Sequence, residues 1–334
     1  LGVDTSVGVY QEFSVGGYGK QLSKYADAAT ARADANFELA RRDALVRAYL
    51  AWLDALQARE LLKLRLEALE EIREVSRIAE ARLAAGRSSP GEAALAKALV
   101  GSAEAAVLSA RGSITQADAY LRYVCGIELH RPLEISGVLD APPLDIDEQS
   151  IRAQVLRVAP DLKSARAEAN TLSQSAVLGR AGSKPFLQLG PSITREGTGD
   201  WVFLGHVRMP LPGVDPAAAE NAERKLSAHI AKAKVTVLEQ AVLRDVEVAL
   251  HEREHALKTR DLLLHESIEP SKLAAHEARL QYEAGRSDLV SVITSRRELY
   301  DALEKWIRAA IDVQRADARL ERYMDLNSQK KGQR

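Results

Sequence analysis

Hydrophobic and polar positions follow two rhythms along the chain. Near the N-terminus Val3, Val7, Val9, Phe13 and Val15 fall on odd positions, with Asp4, Ser6, Glu12 and Ser14 between them. That period of two predicts a β segment over 3–15 with unlike faces. Leu187, Leu189 and Ile193 alternate in the same way with Gln188, Gly190 and Ser192. A polar turn, Glu196 to Asp200, leads to Phe203, Val207, Met209 and Leu211, which alternate with His206 and Arg208. The second stretch predicts a β-hairpin over 185–212. Elsewhere Ala, Leu, Glu and Arg dominate, and long helices are predicted from about Gln21 to Ala84 and from about Ala217 to Glu283. Gly86 and Gly285 stop them. Ser88, Ser89 and Pro90 restart a return helix to about Tyr123, and the other return runs from about Asp288 to Met324. A helix of ~65 residues is roughly 95 Å long, too long for a compact core. The short Gly turns make each pair an antiparallel coiled-coil hairpin.

The two hairpins resemble each other. "AGRS" occurs at Ala85–Ser88 and at Ala284–Ser287, and "ADA" at Ala117–Ala119 and Ala316–Ala318, each pair 199 residues apart. Upstream, Arg59 to Leu62 resembles Arg260 to Leu263 at an offset of 201, which implies a small indel between. Three ordered matches predict a duplicated strand–long helix–turn–helix unit. The expected division is a first repeat over 1–126 with its tip at 85–90, a linker and equatorial helix over 127–184, and a second repeat over 185–334 with its tip at 284–288. The linker is Pro- and Asp-punctuated from Arg131 to Ser150, and a helix broken near Pro160 follows to about Arg180.

Composition narrows the classes. With 46 Lys+Arg against 47 Asp+Glu, the chain has no charge excess suited to nucleic acid or an acidic membrane surface. The single cysteine, Cys125, excludes a disulfide framework and a multi-thiolate metal site. No run of 18 apolar residues predicts a transmembrane helix, and no signal peptide is visible. The chain opens at Leu1 and is strand-like at Val3, so it reads as a trimmed product with sequence once upstream. The strands, about 10 residues each, suit a tilted crossing of a bilayer and equally a soluble hairpin. Three strands cannot close a barrel, so a membrane reading requires several chains.

The stretch His251 to His255, "HEREH", has the H-E-x-x-H spacing of a zinc protease helix. Both histidines fall on the polar face of the second long helix. Lys258 stands where the extended pattern wants Gly, and Asp261 where it wants a third His. The motif therefore predicts an exposed helix face. Cys125 reads as a small helix-end hydrophobe.

The ordered parts resemble the TolC-like outer membrane factors. The resemblance rests on "QEFSVGGYGKQLSKYADAA" (Gln11–Ala29), "VLRVAPDLKSARAEA" (Val155–Ala169) and "YEAGRSDLVSVITSRRELYDA" (Tyr282–Ala302). The short Glu196–Asp200 loop and the "GGYGK" entry are most similar to the CzcC/CusC type found with metal-exporting pumps. The resemblance implies a mainly α fold with a small β part. Two tandem strand–helix–turn–helix repeats would form hairpins, and the strands would join a shared trimeric β-barrel. It implies a homotrimer in the outer membrane of a Gram-negative bacterium, with its helices in the periplasm. The chain would conduct substrate passively, delivered by an inner-membrane transporter and a periplasmic adaptor, in efflux or type I secretion. No cofactor, bound metal, nucleic acid or catalytic residue is implied. In the family a strand and a helix precede Val3, and the entry Pro210–Ala222 carries extra prolines.

The resemblance places adaptor docking at the turns, Ala85, Gly86, Arg87 and Ser88 with Ala284, Gly285, Arg286 and Ser287. Helix-stop chemistry alone explains the glycines equally well. Some relatives carry acids six and nine positions after the second tip glycine, where this chain has Ser291 and Thr294. Glu92 and Asp288 are the remaining acidic candidates for a gate or lumen, against a plain helix N-terminal role. Trp201 suits a membrane interface or a partly buried core. The competing classes are a soluble coiled-coil scaffold or tether with a small β head, and a zinc hydrolase.

Overall fold

The computed structural model describes residues 4–14, 16–128, 130–140, 142, 147–209 and 217–323. Val3, Val15, Leu211, Met324 and most of the Pro210–Ala222 entry lie outside them. The elements are β1 (Thr5–Gly8), β2 (Gln11–Ser14), α1 (Tyr18–Ala84), α2 (Pro90–Cys125), α3 (Glu148–Val158), α4 (Pro160–Gly182), β3 (Phe186–Arg195) and β4 (Trp201–Arg208). Then come α5 (Ala218–Leu262), a π-helical segment (Leu263–Ile268), α6 (Glu269–Glu283) and α7 (Leu289–Tyr323). The fold is mostly helical with one small antiparallel sheet. Two compact units form, one from Leu1–Ala40 with Leu156–Val242, the other from Arg41–Val155 with Leu243–Arg334.

The sheet belongs to the first unit. The alternation near the N-terminus resolves into two strands that keep one register along β3, with Thr5 opposite Arg195 and Ser14 opposite Phe186. Pairing lapses between them because of the partner strand. Val9 N–H donates to Pro191 O at 3.1 Å, but proline has no N–H to return. Beside it Tyr10 lies against Gly190, where a Cβ would come within 2.7 Å of the Tyr10 ring. β4 pairs the other edge of β3, from Trp201 opposite Arg195 to Arg208 opposite Gln188.

The sheet's two faces differ as the alternation predicts. One carries Val7, Ile193 and Phe203 in a row, then Leu189 and Val207, with Phe13 further along. The other carries Ser192, whose hydroxyl lies 2.7 Å from His206 Nε2, and Tyr10, packed edge-on against His206. Both faces are largely exposed, and on the apolar one Phe203 reaches 78% and Val207 74% exposure. In the same unit α4 opens at Pro160, a position that needs no N–H partner. It is tied to α1 and α5 by polar side chains. Thr171 Oγ1 donates to Ala28 O at 2.9 Å, and Arg166 pairs with Glu239 at 2.7 Å.

In the second unit ion pairs show which helices are neighbours. Arg59 of α1 grips Asp118 of α2 with two bonds of 2.8 and 2.9 Å. On the other side of α1, Asp43 and Asp54 take Arg322 and Arg315 of α7 at 2.9 and 2.5 Å. α7 in turn meets α5 through Arg253 and Asp317 at 2.6 Å. Apolar contact follows the same order: Ala51 and Ala55 with Leu121, and Leu53 and Leu56 with Ile311. The linker crosses Trp52, where a Cβ on Gly137 would come within 2.5 Å of the indole.

One sequence expectation needs correcting. No unbroken apolar run exists, yet α2 is long and apolar enough by length and composition to cross a membrane, with a mean hydropathy of 1.4 over its best window. Alanines diluted by few charges raise the average without forming a run.

Candidate functional site

The two hairpin turns are built alike. At the first, Gly86 N–H donates to Leu83 O (2.9 Å) and Arg87 N–H to Arg82 O (2.8 Å). At the second, Gly285 N–H donates to Tyr282 O (3.0 Å) and Arg286 N–H to Gln281 O (2.8 Å). This bond pair needs a left-handed residue, and φ is +71° at Gly86 and +74° at Gly285. Ser89 then caps α2 by accepting Glu92 N–H at 3.2 Å. Asp288 caps α7, accepting Ser291 N–H at 2.9 Å and its hydroxyl at 2.6 Å. Those two bonds hold the Asp288 carboxyl below its usual range.

Tyr282 brings the turns together. It is fully buried among Val75 and Ala79 of α1, Ala96 of α2, and Leu289 and Val292 of α7. The Arg82 guanidinium lies 4.3 Å from its ring centroid and donates to Tyr282 O at 2.6 Å. A cation from the end of α1 thus satisfies a carbonyl at the end of α6. Ser88 Oγ donates to Glu92 Oε2 at 2.6 Å, and that bond chiefly holds the Glu92 carboxyl below its usual range. Burial, reinforced by Glu92, pushes the Tyr282 phenol up to about 12.

Ala85, Gly86, Arg87, Ala284, Gly285 and Arg286 are exposed, while Ser88 and Ser287 are half-buried. Glu92 is half-buried and turned into the cluster, whereas Asp288, Ser291 and Thr294 are exposed. Arg82 and Tyr282 were not among the sequence candidates. A signal for Tyr282 existed: the 199-residue offset aligns it with Leu83, so an aromatic replaces an aliphatic residue just before one turn.

His251 and His255 are exposed and line a groove of about 650 Å³ with Lys305, Arg308 and Asp312. Glu252, which an enzyme would use as base, pairs with Arg319. Among the described residues no group of three or more His, Cys, Asp or Glu side chains is placed to hold a metal. Trp201 is 59% exposed at the start of β4, with the Arg195 guanidinium 5.5 Å from its ring.

No family model and no curated protein matches the sequence. Solved structures do match. The outer-membrane channel OprN superposes with a TM-score of 0.81 at 17% identity, covering 97% of this chain and 81% of that one. CusC, a transmembrane channel, gives 0.81 at 14% identity, with 96% and 77% covered. The Campylobacter jejuni CmeC outer membrane channel gives 0.81 at 16%, with 99% and 75% covered. The chain has the fold of these outer membrane channels. The equal scores single out no subgroup.

Proposed function

We propose that this chain is the outer membrane exit duct of a tripartite efflux or type I secretion system, a passive conduit and not an enzyme. The sheet carries the proposal. One of its exposed faces is apolar, and among the described residues its outer edges, β1–β2 and β4, have no further strand partner. Water penalises such a face, and lipid penalises open edges. Both conflicts are removed when copies of the chain close one barrel in a membrane. α2 supports the same reading, because its apolar surface is left for a partner outside the chain.

The proposed assembly is a homotrimer in the outer membrane of a Gram-negative bacterium. Its two tandem repeats (1–126 and 185–334, joined by 127–184) lie in the periplasm apart from the strands. The turns at Ala85–Ser88 and Ala284–Ser287 receive the adaptor of an inner-membrane pump. Asp288, Ser291 and Thr294 are assigned to the lumen and Trp201 to the membrane interface, while Glu92, the remaining lumen candidate, is turned into the tip cluster. Placement in the metal-efflux subgroup rests on the Glu196–Asp200 loop and the "GGYGK" entry alone.

The test is purification followed by planar-bilayer recording. A detergent-dependent trimer with stepwise conductance is expected. A detergent-free monomer without conductance overturns the proposal and favours the scaffold reading.

A further inference from the structure

Register places Thr5, Arg195 and Trp201 in one row, beside the row of Val7, Ile193 and Phe203. A charged residue therefore stands on the apolar face, at the end where β3 turns into β4. Arg195 is exposed, and among the described residues no carboxylate pairs with it. Its guanidinium lies 5.5 Å from the Trp201 ring centroid, within cation–π range.

The neighbouring acids fall on the other face. Glu196 N–H donates to Asp200 O at 2.9 Å, which continues the register by one row. Alternation assigns Asp4, Glu196 and Asp200 to the opposite, polar face with Ser6 and Thr194. Asp4 Oδ1 also accepts Gly197 N–H at 2.8 Å, and Asp200 Oδ2 accepts the Thr198 hydroxyl at 3.2 Å. The guanidinium is left facing outward, beside an indole, where the apolar band stops.

We infer that Arg195 and Trp201 form a seat for the phosphate of an outer-leaflet lipid headgroup, an inference that rests on the membrane-channel proposal above. The guanidinium offers a planar fork that matches phosphate oxygens. An indole at the headgroup level fits the depth at which that phosphate lies. The rows from Val7 inward meet acyl chains.

The experiment uses the full chain reconstituted into vesicles containing lipid A and extracted in a neutral detergent. Lipid A that stays bound is counted by native mass spectrometry. Arg195→Gln should lower retention about fivefold, the effect of one basic residue at a lipid surface. Arg195→Lys should fall between, because it keeps the charge and loses the fork. Arg208→Gln, on the polar face, should match wild type, and dephosphorylated lipid A should be retained as poorly as lipid A is by Arg195→Gln. Equal retention by Arg195→Gln and wild type overturns the inference. So does an equal loss in Arg208→Gln, and so does full displacement by millimolar inorganic phosphate, which would mean a simple anion site. A wild-type chain that does not float with the vesicles sinks the channel proposal itself, and the inference with it.

Discussion

The two return helices are nearly equal in length and opposite in situation. α2 has three buried residues among 36, namely Ala96, Val107 and Leu121, whereas α7 has fifteen among 35. Composition runs the other way, since α2 is the helix apolar enough to pass for a membrane span. The difference comes from neighbours. α7 lies between α1 and α5, and its arginines and aspartates find partners on both sides. α2 meets α1 on one side and leaves Leu108 71% exposed. A helix can thus be specified for burial by its sequence and still be exposed in its own chain, and its partner must then be sought outside.

That contrast can be broken most strongly from α7. Asp317 and Arg253 have side chains only 12% and 15% exposed. Asp317→Ala removes the carboxylate facing a buried guanidinium and should lower unfolding stability by about 3–5 kcal/mol in chemical denaturation. On α2, Glu104 pairs with Arg73 at 52% and 44% exposure, and Glu104→Ala should cost about 0–1 kcal/mol. Ile311→Ala, in the fully buried cluster with Leu53 and Leu56, should cost about 2–4 kcal/mol by the same measurement. Leu108→Asp sharpens the contrast differently. The helix content of the chain should be unchanged, while the trimer fraction measured by light scattering falls. An intact trimer would show that the outer face of α2 is not the contact.

How much of this was legible in the sequence depends on how local the cause is. The turns at Gly86 and Gly285 were, because stop and restart signals lie within a few residues. The strand alternation was, but not its lapse at Val9 and Tyr10, because the cause, Pro191, lies on another strand. The groove position of His251 and His255 depends on α7 and was equally hidden. The π segment is an intermediate case. Between the Arg260–Leu263 match and the tip, the offset falls from 201 to 199, so the second hairpin is two residues shorter. On an ideal helix that turns the tip by about 160° from its phase in the first hairpin. A π turn absorbs one more residue and leaves a mismatch of about 60°. Leu263–Ile268 lies in that interval, and Pro270, which cannot bond back to Glu266, follows directly. The offset announced an irregularity but not its form.

The tip separates the hairpins by smaller amounts. Gly86→Ala and Gly285→Ala should each cost about 1 kcal/mol, because both backbones are left-handed and a Cβ meets nothing within 4 Å. Equal losses would show that the turns are equivalent locally and differ only in what Tyr282 adds.

The pH dependence is the effect most specific to that addition. The Glu92 carboxyl is held below its ordinary 4.5, so its stabilisation is full above that value and is lost as pH falls through the depressed folded value. Tyr282 works in the opposite sense. Its phenol is raised from 10.0 to about 12, so stability falls as pH rises through that window. Unfolding measured from pH 3 to 12 should therefore decline at both ends. Glu92→Gln should flatten the acid limb, and Tyr282→Phe the alkaline one, each relative to wild type. An acid limb unchanged in Glu92→Gln would place the titrating group elsewhere and reduce Glu92 to a helix N-terminal charge, like Asp288 on the other hairpin.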